Sequence, residues 1–126
     1  YWRAELDRRL RHLGLSQSQW LVLIKLPDEG MMQTALARKV GIEGSTLVRL
    51  LDRLQANGWI ERRDMPGDRR AKRVVPTAKA KALQHEVAII AQALREQLLE
   101  GIDPDHVAIA AGVLFHLRQK LENLHD

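Results

Sequence analysis

The chain has 126 residues, is 45% hydrophobic and carries a formal net charge of +4, which indicates one globular domain with its own core. It contains no cysteine, which excludes disulfides, cysteine zinc sites and thiol chemistry. No apolar run approaches the roughly 20 residues that cross a bilayer, so we expect a cytoplasmic protein with no membrane partner.

Two helices are predicted first. Residues 1–13 carry apolar side chains on one helical stripe and end at Gly14. Because the sequence begins at Tyr1 without methionine, we expect a few more helical residues upstream. The run Ser16 to Gln19 has the spacing of a capping box, which predicts that the second helix begins at Gln17. The turn residues Pro27 to Gly30 end that helix.

The block from Gln33 to Leu54 predicts a helix-turn-helix. A short helix ends at Gly41, where a glycine allows the positive φ of a sharp corner. A second helix over Ser45 to Ala56 has leucines three and four residues apart, which directs one face to the core. This spacing is typical of a DNA-binding helix pair, although two helices that merely pack together can also produce it.

A basic hairpin is expected next. The β-prone runs Trp59 to Arg63 and Lys72 to Val75 flank a turn at Pro66 and Gly67. Residues 61–81 hold eight Lys and Arg against three acidic residues, so this segment is +5 whereas the rest of the chain sums to −1. We therefore expect a two-stranded β wing with a basic tip.

Two long helices close the chain. Thr77 is the expected cap of a helix that runs to Glu100, and Pro104 opens the last helix. The last helix repeats apolar residues every three or four positions, as a coiled-coil seam does. One small domain has little core for so many leucine-rich faces, so we expect a homodimer. The predicted dimer interface consists of Leu6, Leu10, Val107, Leu114, Leu117, Leu121 and Leu124.

The fold expected is mainly α: a single winged helix-turn-helix domain over 1–126. Residues 15–76 would form its DNA-binding lobe, and 1–14 and 77–126 its long terminal dimerisation helices. On the second helix, Arg49 can donate two hydrogen bonds to a guanine. The predicted contacts with double-stranded DNA are Gln33, Thr34, Ser45, Thr46, Arg49, Asp68, Arg69, Arg70, Lys72 and Arg73.

Several of these residues have a second interpretation. Gln33 and Thr34 would also suit the cap of their helix, and Asp68 could hold an arginine or simply stabilise its turn. A winged helix can also contact protein or RNA without an operator. Catalysis has little support, because the five histidines lack metal-binding spacing and no glycine-rich phosphate loop exists. We expect no metal and no cofactor.

The sequence resembles the MarR family of bacterial regulators, SlyA type, in Gly41-Ile42-Glu43, Ser45-Thr46-Leu47-Val48-Arg49, Leu51-Asp52-Arg53-Leu54 and Asp68-Arg69-Arg70-Ala71-Lys72-Arg73. The resemblance implies a triangular dimer, joined by its terminal helices, on a pseudo-palindromic operator. It implies that Ser45 and Arg49 read the major groove and that Arg69 and Arg70 serve the wing. Ser45 departs from a proline that the SlyA type can have there, so the bases read there can differ.

The same resemblance implies an effector. Many relatives bind small aromatic carboxylates or phenolic compounds between the dimer helices and the DNA-binding lobe. Trp2, Arg3 and Trp20 match that region, and they would supply an aromatic wall with a cation for a carboxylate. Alternatively, both tryptophans are simply core residues and Arg3 is solvated.

Overall fold

The computed structural model describes residues 1–124 and, at Arg69, the backbone only. The described residues form six α-helices and a small antiparallel sheet, and the predicted mainly helical, winged fold is confirmed. In chain order the elements are α1 (Trp2–Leu10), α2 (Gln17–Lys25), β1 (Met31–Met32), α3 (Gln33–Val40), α4 (Gly44–Ala56), β2 (Ile60–Met65), β3 (Asp68–Pro76), α5 (Ala78–Leu99) and α6 (Pro104–Leu124).

The ends of α1 and α2 follow local signals. After α1, residues Arg11–Leu13 tighten into a 3-10 turn that stops at Gly14. The capping box is formed, because Ser16 Oγ accepts from the Gln19 amide at 3.2 Å and the Gln19 side chain accepts from the Ser16 amide at 2.9 Å. At the other end of α2, the Gln84 side chain donates to the carbonyls of Leu23 and Leu26, at 2.7 and 2.8 Å. A distant residue of α5 thus caps α2.

The corner between α3 and α4 is the predicted glycine turn. Gly41 has φ +80° and donates its amide hydrogen to Ala37 O at 2.9 Å. α4 begins at Gly44, one residue before the predicted start, and buries Leu47, Leu51 and Leu54 completely. Burying one apolar face of α4 leaves its opposite face exposed for contacts outside the core.

The sheet differs from the prediction. It has three strands in the order β1-β3-β2, not the two expected for the wing. β1 pairs Met31 with Val74 and Met32 with Arg73. This extra strand forms because β3 is longer than predicted and presents its free edge to the segment before α3. Close approach is possible because residue 30 is glycine: a Cβ there would lie 2.3 Å from Val74 O.

The start of α5 is joined to the end of α4. Thr77 Oγ1 accepts from the Ala80 amide, as the predicted cap requires, and donates to the carbonyls of Gly58 and Trp59. The Lys79 ammonium lies 4.0 Å from the centre of the Trp59 ring and donates to Asn57 O. These contacts hold the turn after α4 against the first turn of α5.

The chain forms two compact units, residues Tyr1–Ala91 and Gln92–Asp126. The first unit therefore includes α1 and much of α5 together with residues 15–76. Leu6 and Leu10 are 5% and 0% exposed, so the surface that they were expected to offer to a second subunit is already covered within one chain. They belong to the protomer core because amphipathic α1 buries its apolar stripe there.

The apolar residues of the last helix, α6, are mostly exposed, in contrast to Leu6 and Leu10. In α6 the predicted seam residues Leu114, Leu117, Leu121 and Leu124 are 52 to 77% exposed, and Val107 is half-buried. Ile109, Val113 and Phe115 are exposed as well. A single chain leaves this much apolar helix surface uncovered only rarely, and such surface marks an interaction site.

Candidate nucleic-acid interface

The outer face of α4 carries the side chains predicted to read DNA bases. Ser45, Thr46 and Arg49 are exposed, opposite the buried leucines of the same helix. Glu43, the residue before the helix, makes no side-chain cap. A helix start without a side-chain cap can offer its first backbone N–H groups to an anion, and hydroxyl and guanidinium groups on the next turn can contact phosphates or base edges.

The start of α3 holds the two predicted phosphate contacts. Thr34 is exposed. Gln33 is half-buried, and its Oε1 is buried without a hydrogen-bond partner in the described part of the chain. Neither residue caps α3, because the residue before the helix is Met32 and makes no side-chain cap. The alternative interpretation as a helix cap therefore fails for both residues.

The tip of the wing is organised by Asp68. Its Oδ1 accepts a hydrogen bond from the Arg70 backbone N–H at 2.9 Å, which is the turn-stabilising role and not the clamp on a guanidinium. Arg70 is exposed, whereas the side chain of Arg69 lies outside the described residues. The strands β2 and β3 slip out of register between Asp64 and Met65, so the residues after Asp68 bulge from the regular ladder.

Lys72 and Arg73 have partners within the chain. Lys72 forms an ion pair with Asp64, its cross-strand neighbour. Arg73 makes three hydrogen bonds, two to Glu29 O and one to Gly30 O, at 2.9 to 3.2 Å. The structure therefore uses Arg73 to hold the turn before β1, and its contact with DNA stays a prediction. Its guanidinium bonds to carbonyls because β1 brings that turn beside β3.

Arg62 is a functional candidate that the sequence analysis missed. Its Nη2 donates to Asp52 Oδ1 at 2.6 Å and its Nε donates to Gln55 Oε1 at 2.7 Å. Both partners lie on α4. The signal was present in the strand pattern, because side chains two apart share a face and Ile60 is buried. Arg62 is thus on the inner face, where an arginine requires partners.

Polar and cationic groups gather where α3, α4 and the wing meet. Gln33, Gln55, Arg62 and Lys72 line an open cavity of about 390 Å³. It is a polar gap beside the predicted DNA-contact residues. Both of its cations are already paired within the chain, Arg62 with Asp52 and Lys72 with Asp64.

The predicted effector region is only partly open. Trp20 is 1% exposed and its indole N–H donates to Asp7 Oδ1 at 3.0 Å, so Trp20 is a satisfied core residue and not a pocket wall. Trp2 is 39% exposed. Arg3 lines a cavity of about 280 Å³ whose other walls include Leu21, Val40, Ile42 and Leu50. A cation thus lies at a hollow that also has polar walls, Gln17 and Ser18, with different neighbours from those predicted.

The carboxyl group of Glu5, in α1, has a strongly lowered pKa. The Arg8 side chain, and next the Arg9 side chain, hydrogen-bond to Glu5 and lower the pKa of its carboxyl to about 2.

In the described residues no group of three or more His, Asp or Glu is close enough to hold a metal ion. Within the same range, none of the helices is both long and apolar enough to cross a membrane.

Comparison with known proteins agrees with this geometry. The sequence model of the MarR family matches residues 15–72. A solved transcriptional regulator, PA3341, is 48% identical, with a TM-score of 0.82 over 97% of this chain and 90% of that chain. A MarR family regulator from Silicibacter pomeroyi is 29% identical, with a TM-score of 0.77 over 97% of this chain and 81% of that one.

The regulator SlyA superposes with a TM-score of 0.80 over 96% of this chain and 86% of its own, at 21% identity. That identity shows a shared fold and does not establish the SlyA type. The family match, the close relative and the winged helix-turn-helix agree with one another. The chain therefore belongs to the MarR family of transcriptional regulators.

Proposed function

We propose that the protein is a sequence-specific regulator that binds double-stranded DNA as a homodimer on a pseudo-palindromic operator. The observation that carries the proposal is the outer face of α4, where Ser45, Thr46 and Arg49 are exposed on one rigid helix. The side chain of Arg49 makes no hydrogen bond or ion pair among the described residues. Its guanidinium is therefore available for a base edge.

The wing and α3 supply the contacts that fix the register on DNA. Arg70 is exposed at the tip of the wing, and Thr34 is exposed at the start of α3. We propose that these residues, with Gln33, Arg69 and Lys72, contact phosphates or the minor groove. Phosphate contacts bind without reading sequence, so they add affinity that falls with salt. A cytoplasmic location follows from this proposed partner.

The exposed apolar face of α6 supports the homodimer. Leu114, Leu117 and Leu121 recur at intervals of three and four residues and are each more than half exposed. A second copy of α6 offers the same seam, so two copies can cover each other as coiled-coil helices do. Two joined subunits would present two reading helices to half-sites about one helical turn apart.

A small effector remains part of the proposal. The cavity beside Arg3 has polar and apolar walls and a volume of about 280 Å³, close to the lower end of ligand pockets. We propose that an aromatic carboxylate or phenolic compound binds there, with its charged or polar end on Arg3. The SlyA type also stays a proposal, since it depends on the residues of the α4 and wing segments alone.

The experiment measures binding to DNA that the protein itself selects from a random pool. One duplex keeps both half-sites and a second has one half-site scrambled. We expect scrambling to lower affinity by at least about tenfold, and Arg49→Ala to cost about 1–3 kcal/mol on the intact duplex and little on a duplex of random sequence. Equal binding of the wild type to the intact and scrambled duplexes would favour the other candidate, a winged helix that contacts protein or RNA. An equal loss from Arg49→Ala on the intact and the random-sequence duplex would refute base reading by Arg49.

A further inference from the structure

Arg62 connects the wing strand β2 to α4 through two hydrogen bonds. Its side chain is 22% exposed, in contrast to 64% for its neighbour Arg63. The guanidinium is planar and its donors have fixed directions. One end of it bonds to Asp52 at 2.6 Å and the other to Gln55 at 2.7 Å. This arrangement is a two-point attachment of a helix to a strand.

The two partners lie three residues apart on α4, so they occupy one face on successive turns. The buried leucines set the overall orientation of α4, and two attachments on its other side oppose the small rotation that remains better than one attachment would. Arg49 lies one further turn toward the helix start, three residues before Asp52. A small rotation of α4 therefore moves the Arg49 guanidinium away from the base edges that it would meet.

The ion pair between Arg62 and Asp52 also neutralises a negative charge on α4. A carboxylate at Asp52 is within helical reach of Arg49, because residues three apart are neighbours on a helix surface. Asp52 is instead paired with Arg62. The pairing withdraws the carboxylate from competition for Arg49 and neutralises an anion on a surface that would face phosphates. Without Arg62, the Asp52 carboxylate would be free to pair with Arg49, and its charge would repel phosphates.

We propose that Arg62 is a positioning residue for DNA recognition: it orients α4 through Asp52 and Gln55 so that Arg49 can read a base, and it does not itself contact a phosphate. The inference rests on the proposed function, in which α4 reads DNA sequence. It predicts that Asp52, an anion, strengthens the binding of a polyanion. That expectation is opposite to the one from simple electrostatics, so it separates the two roles.

The test compares Asp52→Ala and Arg62→Ala with Arg63→Ala as the matched control. Arg63 lies on the same strand and pairs with Glu61 of that strand instead of with α4. The probes are the duplex that the wild-type protein selects from a random pool and a duplex of random sequence that has neither half-site, over a range of salt concentrations. We expect Asp52→Ala and Arg62→Ala to lose roughly 5- to 30-fold on the selected duplex, with little change on the random-sequence one.

The salt dependence distinguishes positioning from phosphate contact. Each lost phosphate contact would lower the slope of log affinity against log salt by about 0.9, and a homodimer variant loses two, whereas we expect the wild-type slope for Arg62→Ala. Asp52→Glu should restore part of the discrimination. The proposal is overturned if Asp52→Ala binds as tightly as the wild type, or if Arg62→Ala reduces that slope.

A measurement without DNA separates this inference from the proposed function. We expect faster amide hydrogen exchange in the second half of α4 for Asp52→Ala and Arg62→Ala, and unchanged exchange for Arg63→Ala. Alanine favours helix more than aspartate does, so fraying from lost helix propensity cannot produce the Asp52→Ala result. Unchanged exchange in both variants overturns the attachment. If the wild-type protein fails to distinguish the duplexes, the proposed function fails while the exchange result still decides the attachment.

Discussion

Replacing Gly30 by alanine should disrupt the joint between the turn before β1 and strand β3. Gly30 has φ +78°, and a Cβ there would lie 2.3 Å from Val74 O and 3.0 Å from Val75 Cγ2. The first of these neighbours is backbone, so a flexible side chain cannot relieve the overlap. The strand itself would have to move, and with it the Arg73 hydrogen bonds to Glu29 O and Gly30 O.

Two costs add in this variant. A residue with a Cβ at positive φ costs roughly 1–2 kcal/mol, and forcing an extra methyl group into a packed region costs about 1–3 kcal/mol. The expected loss is therefore about 2–5 kcal/mol in the free energy of unfolding. For a domain of this size that corresponds to a fall of about 8–20 °C in the melting temperature.

Two other glycines serve as controls for the backbone cost alone. Gly58 and Gly67 have φ +80° and +81°, and a Cβ at either position would meet nothing within 4 Å. Gly58→Ala and Gly67→Ala should therefore each cost only about 1–2 kcal/mol. Urea unfolding followed by tryptophan fluorescence, at one fixed protein concentration, measures all three variants. A Gly30→Ala variant no less stable than these controls would refute the close approach to Val74.

Three further predictions follow from single contacts. Gln84→Met removes both side-chain donors to the end of α2 and should cost about 1–3 kcal/mol in urea unfolding; an unchanged midpoint would contradict the distant cap. Glu5→Gln should remove a stabilising effect that is fully present above pH 4.5 and is lost as the pH falls toward the native pKa of about 2. Melting temperatures at pH 7 and pH 2 should then differ less in the variant than in the wild type, and an equal difference would argue against the Glu5 interaction. Leu117→Glu should lower the mass measured by light scattering to that of one chain, whereas Arg118→Glu should leave it unchanged; a dimer in the first variant would contradict the α6 seam.

The helix boundaries were largely predictable because their causes are local. The capping box at Ser16, the corner at Gly41 and the cap at Thr77 each involve groups a few residues apart. Such groups are held close by the chain itself, whatever the rest of the fold does. The exposed face of α4 was predictable for a similar reason, since the leucine spacing alone decides which side of the helix is buried.

The third strand was not predictable by the same reasoning. Two residues, Met31 and Met32, are too short to show an alternating pattern, and their strand exists only because β3 offers a free edge. The partners of Arg62 and Arg73 were hidden for a related reason. A basic segment looks the same whether its guanidinium groups face solvent, DNA or carbonyls brought in from 44 residues away.

The amino-acid sequence by itself determined the helix ends, the glycine corner, the basic wing and the apolar faces, because each depends on spacing along one short segment. Only the tertiary structure decided which apolar faces are covered within one chain. Leu6 and Trp20 became core, whereas Leu117 stayed exposed. Periodicity reports that a face is apolar, but burial depends on which distant element reaches it, and that is a property of the folded chain.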